Sequence, residues 1–288
     1  MKAIKFFAIT AMAAAMFTSC SSEDELSQSN YPSDNIIRVT AGVNNAKTRA
    51  DETAGTPLEK PLSLTVVNKN TTDPVLAKKY TYVGKVFKKD ENEVWKCSET
   101  QPLLWQNSET PVDIVAFAPA VENNPFANVY NNETREFSSF SYSVADNQST
   151  SSDNNDLLYN YTPGFVPGGT NLDKDGKLSI QMNHAFCMID IIVTLGTEFN
   201  VSGIPTTSPI TEVTLGGTKI EANVNVAAAT DKIAATSAAA KDITATPGDF
   251  DTPAGNDKEK SCKSHFSCIT VPQTVAANTF KVSLMTAG

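Results

Sequence analysis

Hydrophobic residues along this chain come in short alternating runs and not in long stripes. Ile37, Val39, Ala41 and Val43 are separated by Arg38, Thr40 and Gly42. In an extended strand successive side chains point to opposite sides, so this spacing gives one apolar face. The pattern returns at Leu62, Leu64 and Val66, and again across residues 80–87. Around Val112, Ile114 and Ala116, the intervening Val115 and Phe117 fill the second face as well. The clearest run is Cys187, Ile189, Ile191, Val193 and Leu195, with Asp190 and Thr194 opposite. Further strands are expected at residues 210–215, 219–226, 266–271 and 280–285. No window sustains a helical period. The alanine-rich residues 227–240 lack an apolar stripe, so a loop or short strand is expected there. The predicted fold is mostly β, antiparallel, in sandwich-like layers.

Polar and Gly/Pro-rich stretches divide these runs. Residues 44–60 contain Gly55 and Pro57, and residues 146–155 are Asp, Asn, Gln, Ser and Thr throughout. Pro163-Gly164 and then Pro167-Gly168-Gly169 are expected to close the first half, and Asp173-Lys174-Asp175-Gly176 to form a turn into the next strand. Residues 246–260 read as an exposed loop. The expected divisions are a leader over residues 1–19, a tether with the first strand over 20–49, one domain over 50–172 and a second over 173–288.

The first residues carry a different signal. Lys2 and Lys5 precede an apolar stretch over residues 6–17, and Thr18 and Ser19 stand directly before Cys20. A basic start, an apolar run and small residues make a secretory leader. The run is too short to cross a bilayer core of roughly 30 Å as a helix, which needs about 20 residues. Phe17-Thr18-Ser19-Cys20 resembles the lipobox of bacterial lipoproteins, in which the cysteine thiol is acylated. That resemblance implies anchoring to the outer membrane through Cys20. Glu23-Asp24-Glu25 resembles the surface-export signal of Bacteroidetes lipoproteins. Residues 27–34 read as a solvated tether by composition.

A net charge of −9 argues against nucleic acid, which needs clustered Lys and Arg. Cys97, Cys187, Cys262 and Cys268 are irregularly spaced in a long chain, which is not the pattern of a disulfide-built scaffold. His184 and His265 are the only histidines, and neither sits in a catalytic motif. Nucleophile elbows, phosphate loops and dinucleotide turns are absent, so an enzyme is not expected. Cys262, His265 and Cys268 lie close in sequence, but on a strand His265 faces away from both thiols, which defeats joint metal ligation. No metal or other cofactor is expected. Asp173 to Gly176 lacks the later oxygen ligands of a calcium loop and reads as a hairpin turn. Trp95, Trp105, Tyr80, Tyr82 and Tyr130 would suit either a sugar-stacking surface or cross-strand packing.

Taken in order, several segments resemble the fimbrillin family, subunits of Bacteroidales type V pili. Ile36-Ile37-Arg38-Val39-Thr40-Ala41-Gly42-Val43 is followed by Lys47-Thr48-Arg49-Ala50, similar to the family's first strand and its cleavage site. Leu103-Leu104-Trp105 leads to Val112-Asp113-Ile114-Val115-Ala116-Phe117-Ala118-Pro119, similar to the family's tryptophan and the strand after it. Asp156-Leu157-Leu158-Tyr159 has a family counterpart, as does the stretch from Leu178 to Cys187 containing His184. Val271-Pro272-Gln273-Thr274 resembles a segment further on.

The resemblance implies two transthyretin-like β-sandwich domains and a polymerising surface function in adhesion. It implies cleavage by an arginine-specific protease after Arg49, leaving Ala50 as the new N-terminus. The removable strand would comprise Ile36, Ile37, Val39, Ala41 and Val43, and other fimbrial subunits would add a strand in its place. Family members usually continue through further strands, so the second domain is expected to be truncated or to belong to an anchor or tip component. The alternative reading is a surface lipoprotein that binds a glycan or host protein without assembling.

Overall fold

The computed structural model describes residues 29–44, 56–70, 72–120, 125–150 and 156–287. In the first half the strands are β1 (Val39–Val43), β2 (Thr56–Pro57), β3 (Leu62–Asn68), β4 (Tyr82–Lys89), β5 (Trp95–Cys97) and β6 (Val112–Ala118). The short β7 (Tyr130–Asn131), β8 (Glu136–Phe137) and β9 (Phe140–Ser143) follow, then β10 (Leu158–Phe165) and β11 (Leu178–His184). The second half supplies β12 (Cys187–Thr194), β13 (Ile210–Thr218), β14 (Glu221–Val224), β15 (Ile233–Ala235) and β16 (Lys241–Thr244). It ends with β17 (Thr246–Asp251), β18 (Lys263–Thr270) and β19 (Lys281–Thr286). A six-residue helix, α1 (Pro74–Lys79), starts at Asp73, whose carboxylate accepts from the Val75 and Leu76 amides. It is too short to show a period in sequence.

The mostly-β, largely antiparallel expectation holds. An eight-stranded sheet runs β2-β1-β11-β10-β6-β3-β4-β5. Its one departure is β1, which lies parallel to β11 with Val39 opposite Leu178 and Val43 opposite Met182. Every residue of β3 and β6 is buried. Leu62, Leu64, Ile114 and Ala116 face a first core with Phe87, Trp105 and Ile180. Val115 and Phe117 face a second core, which holds Val213, Leu215, Phe266 and Cys268 from the other half of the chain. Phe117 stacks on Phe126 at 4.7 Å between ring centres, and Phe140 meets both edge-on. That second core is also bridged by backbone, because β9 pairs with β14.

Outside the eight-stranded sheet, β9 and β15 flank β14 and β7 pairs with β8, while the other strands form two three-stranded sheets, β12-β18-β17 and β16-β13-β19. One residue, Ala245, separates β16 from β17, and its amide donates to the Val213 carbonyl at 2.8 Å. The two sheets are therefore one strip bent at Ala245, ending in β12 and β19. Gln148 ties this strip to the chain leaving β9: its side chain donates to the Ala145 and Ile269 carbonyls and accepts from the Ile269 amide.

Three expectations need correction. Residues 246–260 begin with β17, not with loop. The ladder shifts between Pro247 and Phe250, so the proline and Gly248 occupy an irregular edge strand. Pro163-Gly164 does not close the first half; it is a shift within β10, whose pairing to β6 resumes at Phe165. Within the expected solvated tether, Asn30 and Tyr31 are docked, while Ser33 and Asp34 are exposed. Asn30 donates through its backbone to Gly169 and through its side chain to Leu172, and Tyr31 packs on the first core. The turn at Asp173 is as expected: its carboxylate accepts from the Asp175 and Lys177 amides, and Gly176 takes a φ of 73°.

At the end of β11, His184 Nδ1 donates to the Asp156 carboxylate at 2.5 Å, across the ladder from Leu158. The Asp156 hydrogen bond raises the His184 pKa above its ordinary 6.5, despite partial burial acting the other way. A folded-state pKa above the unfolded one stabilises fully below pH 6.5, and the contribution is lost as pH rises through the raised value. Chemical denaturation between pH 5 and 9 should therefore show stability falling on the alkaline side, and Asp156→Asn should flatten that slope.

Candidate assembly site

The predicted removable strand is built into the first core. Ile37 and Val39 are each 3% exposed, while Ile36, Ala41 and Val43 are half-buried. The alternation read from sequence thus faces the core with Ile37 and Val39. Gly42 lies against the Gln181 side chain and the Thr56 carbonyl, so an added methyl there would crowd both.

Backbone bonds hold the segment on both flanks. Along β1, the Leu178 amide donates to the Arg38 carbonyl at 2.8 Å, and the Asn44 amide donates to Met182 at 2.8 Å. Two residues of β2 cover the other side, with the Leu58 amide reaching the Ala41 carbonyl. Upstream, the Ile37 amide donates to Leu103 and the Trp105 amide to Asn35, each at 2.8 Å, around an antiparallel bridge between Ile36 and Leu104. Residues 35–37 therefore join the β1 end of the sheet to the chain that follows β5. Arg38 pairs with Asp34 at 2.6 Å. Arg38, with the Ile36 amide, holds the Asp34 carboxyl at about 2, so the turn entering the strand stays ionised across the physiological range.

The seam is incompletely filled. A cleft of about 370 Å³ separates residues 36–39 from the β4–β5 hairpin, with Phe87, Val94, Trp95 and Leu103 on its walls. Sequence alternation located the strand but not this cleft, because the crossing of residues 35–37 over residues 103–105 is a non-local pairing with no local pattern.

Other candidates are scattered. Cys20, Arg49 and Ala50 lie outside the described residues; Arg49 and Ala50 belong to the stretch joining β1 to β2. Trp105 is 2% exposed and Tyr130 is buried, so these two are packing residues, whereas Trp95 is half-buried with Lys89 over its ring. Tyr82 uses its hydroxyl to grip the Leu104 backbone. Cys97, Cys187, Cys262 and Cys268 are free thiols. Burial and the Asp190 charge push Cys268 up to about 11, so it is an inert core thiol. His265 pairs with Asp251 on the side of β18 away from Cys268. Among the described residues no cluster of three or more His, Cys, Asp or Glu could hold a metal.

The sequence profile of fimbrillin-like proteins matches residues 48–288. The chain belongs to the fimbrillin-like family. The match marks the chain as a fimbrial, structural type of protein. No curated protein matches it in sequence. Among solved structures, one described as a cell adhesion protein of Bacteroides ovatus is 15% identical, with 86% of this chain and 85% of that one covered and a TM-score of 0.52. A second so described, from Bacteroides uniformis, is 14% identical over 88% and 81% of the two chains, with a TM-score of 0.49. The fimbrial anchor protein Mfa2 of Porphyromonas gingivalis is 13% identical over 85% and 78%, at 0.37. The Bacteroides ovatus likeness supports a shared fimbrillin-like fold.

Burying Ile37 and Val39 contributes about 1.5–3 kcal/mol each, and a buried carboxylate in place of either adds a desolvation cost. The double change Ile37→Asp with Val39→Asp should therefore lower the unfolding free energy by at least about 4 kcal/mol. Denaturant melts of the uncleaved chain measure this; an unchanged midpoint would show that the strand does not hold the core.

Proposed function

We propose that this fimbrillin-like chain is a fimbrial subunit or accessory component, exported as a lipoprotein through Cys20 and activated by cleavage after Arg49. The observation that carries the reading is the covalent position of β1. With the preceding Ile37 it contributes two core side chains and a parallel ladder, yet its only link to the strands after it runs through residues 45–55, which include Arg49. Cutting that link would leave β1 held by non-covalent contacts alone. Its departure would uncover the edge of β11 from Leu178 to Met182, the Leu103 carbonyl, and apolar residues including Leu178 and Ile180. An incoming strand with apolar residues at alternate positions would satisfy the same groups, which is β-augmentation. On this reading the lipid anchor retains the first strand while the rest of the subunit is passed on to a neighbouring fimbrial subunit. A host or glycan ligand would be met by the assembled fibre.

Treatment of the purified precursor with an arginine-specific protease should give one early cut after Arg49, followed by ladders on gels and filaments by microscopy. Arg49→Ala should block both. A chain cut after Arg49 that stays monomeric would support a non-assembling surface protein instead.

A further inference from the structure

The first strand is gripped unevenly along its length. At its N-terminal end Ile37 and Val39 are core residues, and the Ile37, Trp105 and Leu178 amides close hydrogen bonds of 2.8 Å around residues 35–38. Further upstream, Asn30 is tied to Gly169 and Leu172 at 2.9 and 3.0 Å. Toward the C-terminal end the hold slackens. Ala41 and Val43 are only half-buried, and Asn44 is exposed, its side chain meeting that of Asn183. Gly42 is buried beneath the Gln181 side chain and the Thr56 carbonyl, so β2 itself is part of its cover. That cover is slight: β2 has two exposed residues, and the Leu58 amide reaches Ala41 at 3.2 Å.

The link of residues 45–55 ends on both strands at this weaker end. It joins Val43 to Thr56, which are register partners. A cut after Arg49 therefore frees two chain ends at one corner of the sheet. One belongs to β1 and the other to β2, an edge strand among the described residues that pairs with β1 alone. The opposite end of β1 gains no freedom.

We infer that strand exchange at this site has a fixed polarity, beginning at the Val43 end and running toward Ile37. The inference rests on the assembly reading above and adds where the incoming strand of a neighbouring subunit first lands. When β2 and residues 41–44 fray, the edge of β11 at Gln181 and Met182 is uncovered while Ile37 and Val39 still fill the core. A strand in the orientation of β1 docks there with the residues that come to stand at the positions of Ala41 to Val43. It then displaces β1 one ladder pair at a time toward Leu178. The first core never stands empty on this route, whereas departure of β1 before entry exposes its whole apolar wall to water at once. Gly42 marks what the landing strand carries: a Cβ there would lie 3.2 Å from Gln181 Oε1 and 3.4 Å from the Thr56 carbonyl, so a glycine lets β2 close over the newcomer.

The test uses precursor cut after Arg49, mixed with fluorescent peptides of the chain's own residues 30–44, 30–40 and 35–44. Release of the native segment is followed by size-exclusion chromatography and peptide entry by anisotropy. Entry should quicken with peptide concentration across the micromolar range. Removing residues 41–44 should slow it at least roughly tenfold, while removing residues 30–34 should leave it within about threefold. Hydrogen exchange should show the Gly42 and Asn44 amides opening at least about tenfold faster after the cut, with those of Ile37 and Val39 unchanged. A rate independent of peptide concentration would mean that β1 leaves before the newcomer enters, and would overturn the inference. A greater loss of rate from the N-terminal truncation, or equal quickening of exchange at Ile37 and Asn44, would overturn it too. Entry of no peptide at all is a different failure: it would remove the assembly reading itself, and the inference with it.

Discussion

The first core depends on a strand that belongs to it by contact and not by continuity. β1 lies between β11 and the two residues of β2, with its parallel ladder set by Val39 against Leu178. Parallel neighbours need a long connection, here the whole of the chain between residues 43 and 178, and that connection is the domain itself. The free energy holding β1 therefore resides in Ile37, Val39 and a short series of hydrogen bonds. Such a strand can be exchanged for an equivalent one without rebuilding the remainder of the sheet. The ionised Asp34–Arg38 pair and the docking of Asn30 lengthen the grip on the N-terminal side.

The two cores present contrasting solutions to the same problem of sheet edges. In the first, residues 35–37 bridge to residues 103–105 and connect the two ends of an open sheet. In the second, a single strip bends at Ala245 and has β12 and β19 as its edge strands among the described residues. Charged residues on β12 and β19 are sparse: Asp190 on one, Lys281 on the other.

What could be read from sequence divides along physical lines. Alternation over Ile37–Val43 positions, over Val112 to Phe117 and over Cys187 to Leu195 located β1, β6 and β12 because each has a consistent core face. β10 was obscured by Pro163-Gly164, which usually signals a turn and here sits in a bulge. β17 was hidden for the same reason by Pro247 and Gly248. The polar composition of residues 30–34 concealed hydrogen bonds to residues more than a hundred positions away, which no local pattern encodes. The strand at the candidate site was thus legible, whereas its partners were not. Trp105 suits either a binding platform or packing by type, and its position in the interior decides for packing.

One strand ties the two cores together. β6 presents Ile114 and Ala116 to one and Val115 and Phe117 to the other, with every position from Val112 to Ala118 buried. It has no neutral side on which drift can accumulate. A change on either face shifts the common wall, so a substitution made to suit one core will be felt as a packing defect in the other. Substitutions accepted in this stretch should therefore come as compensated pairs, which would make the strand slow to change.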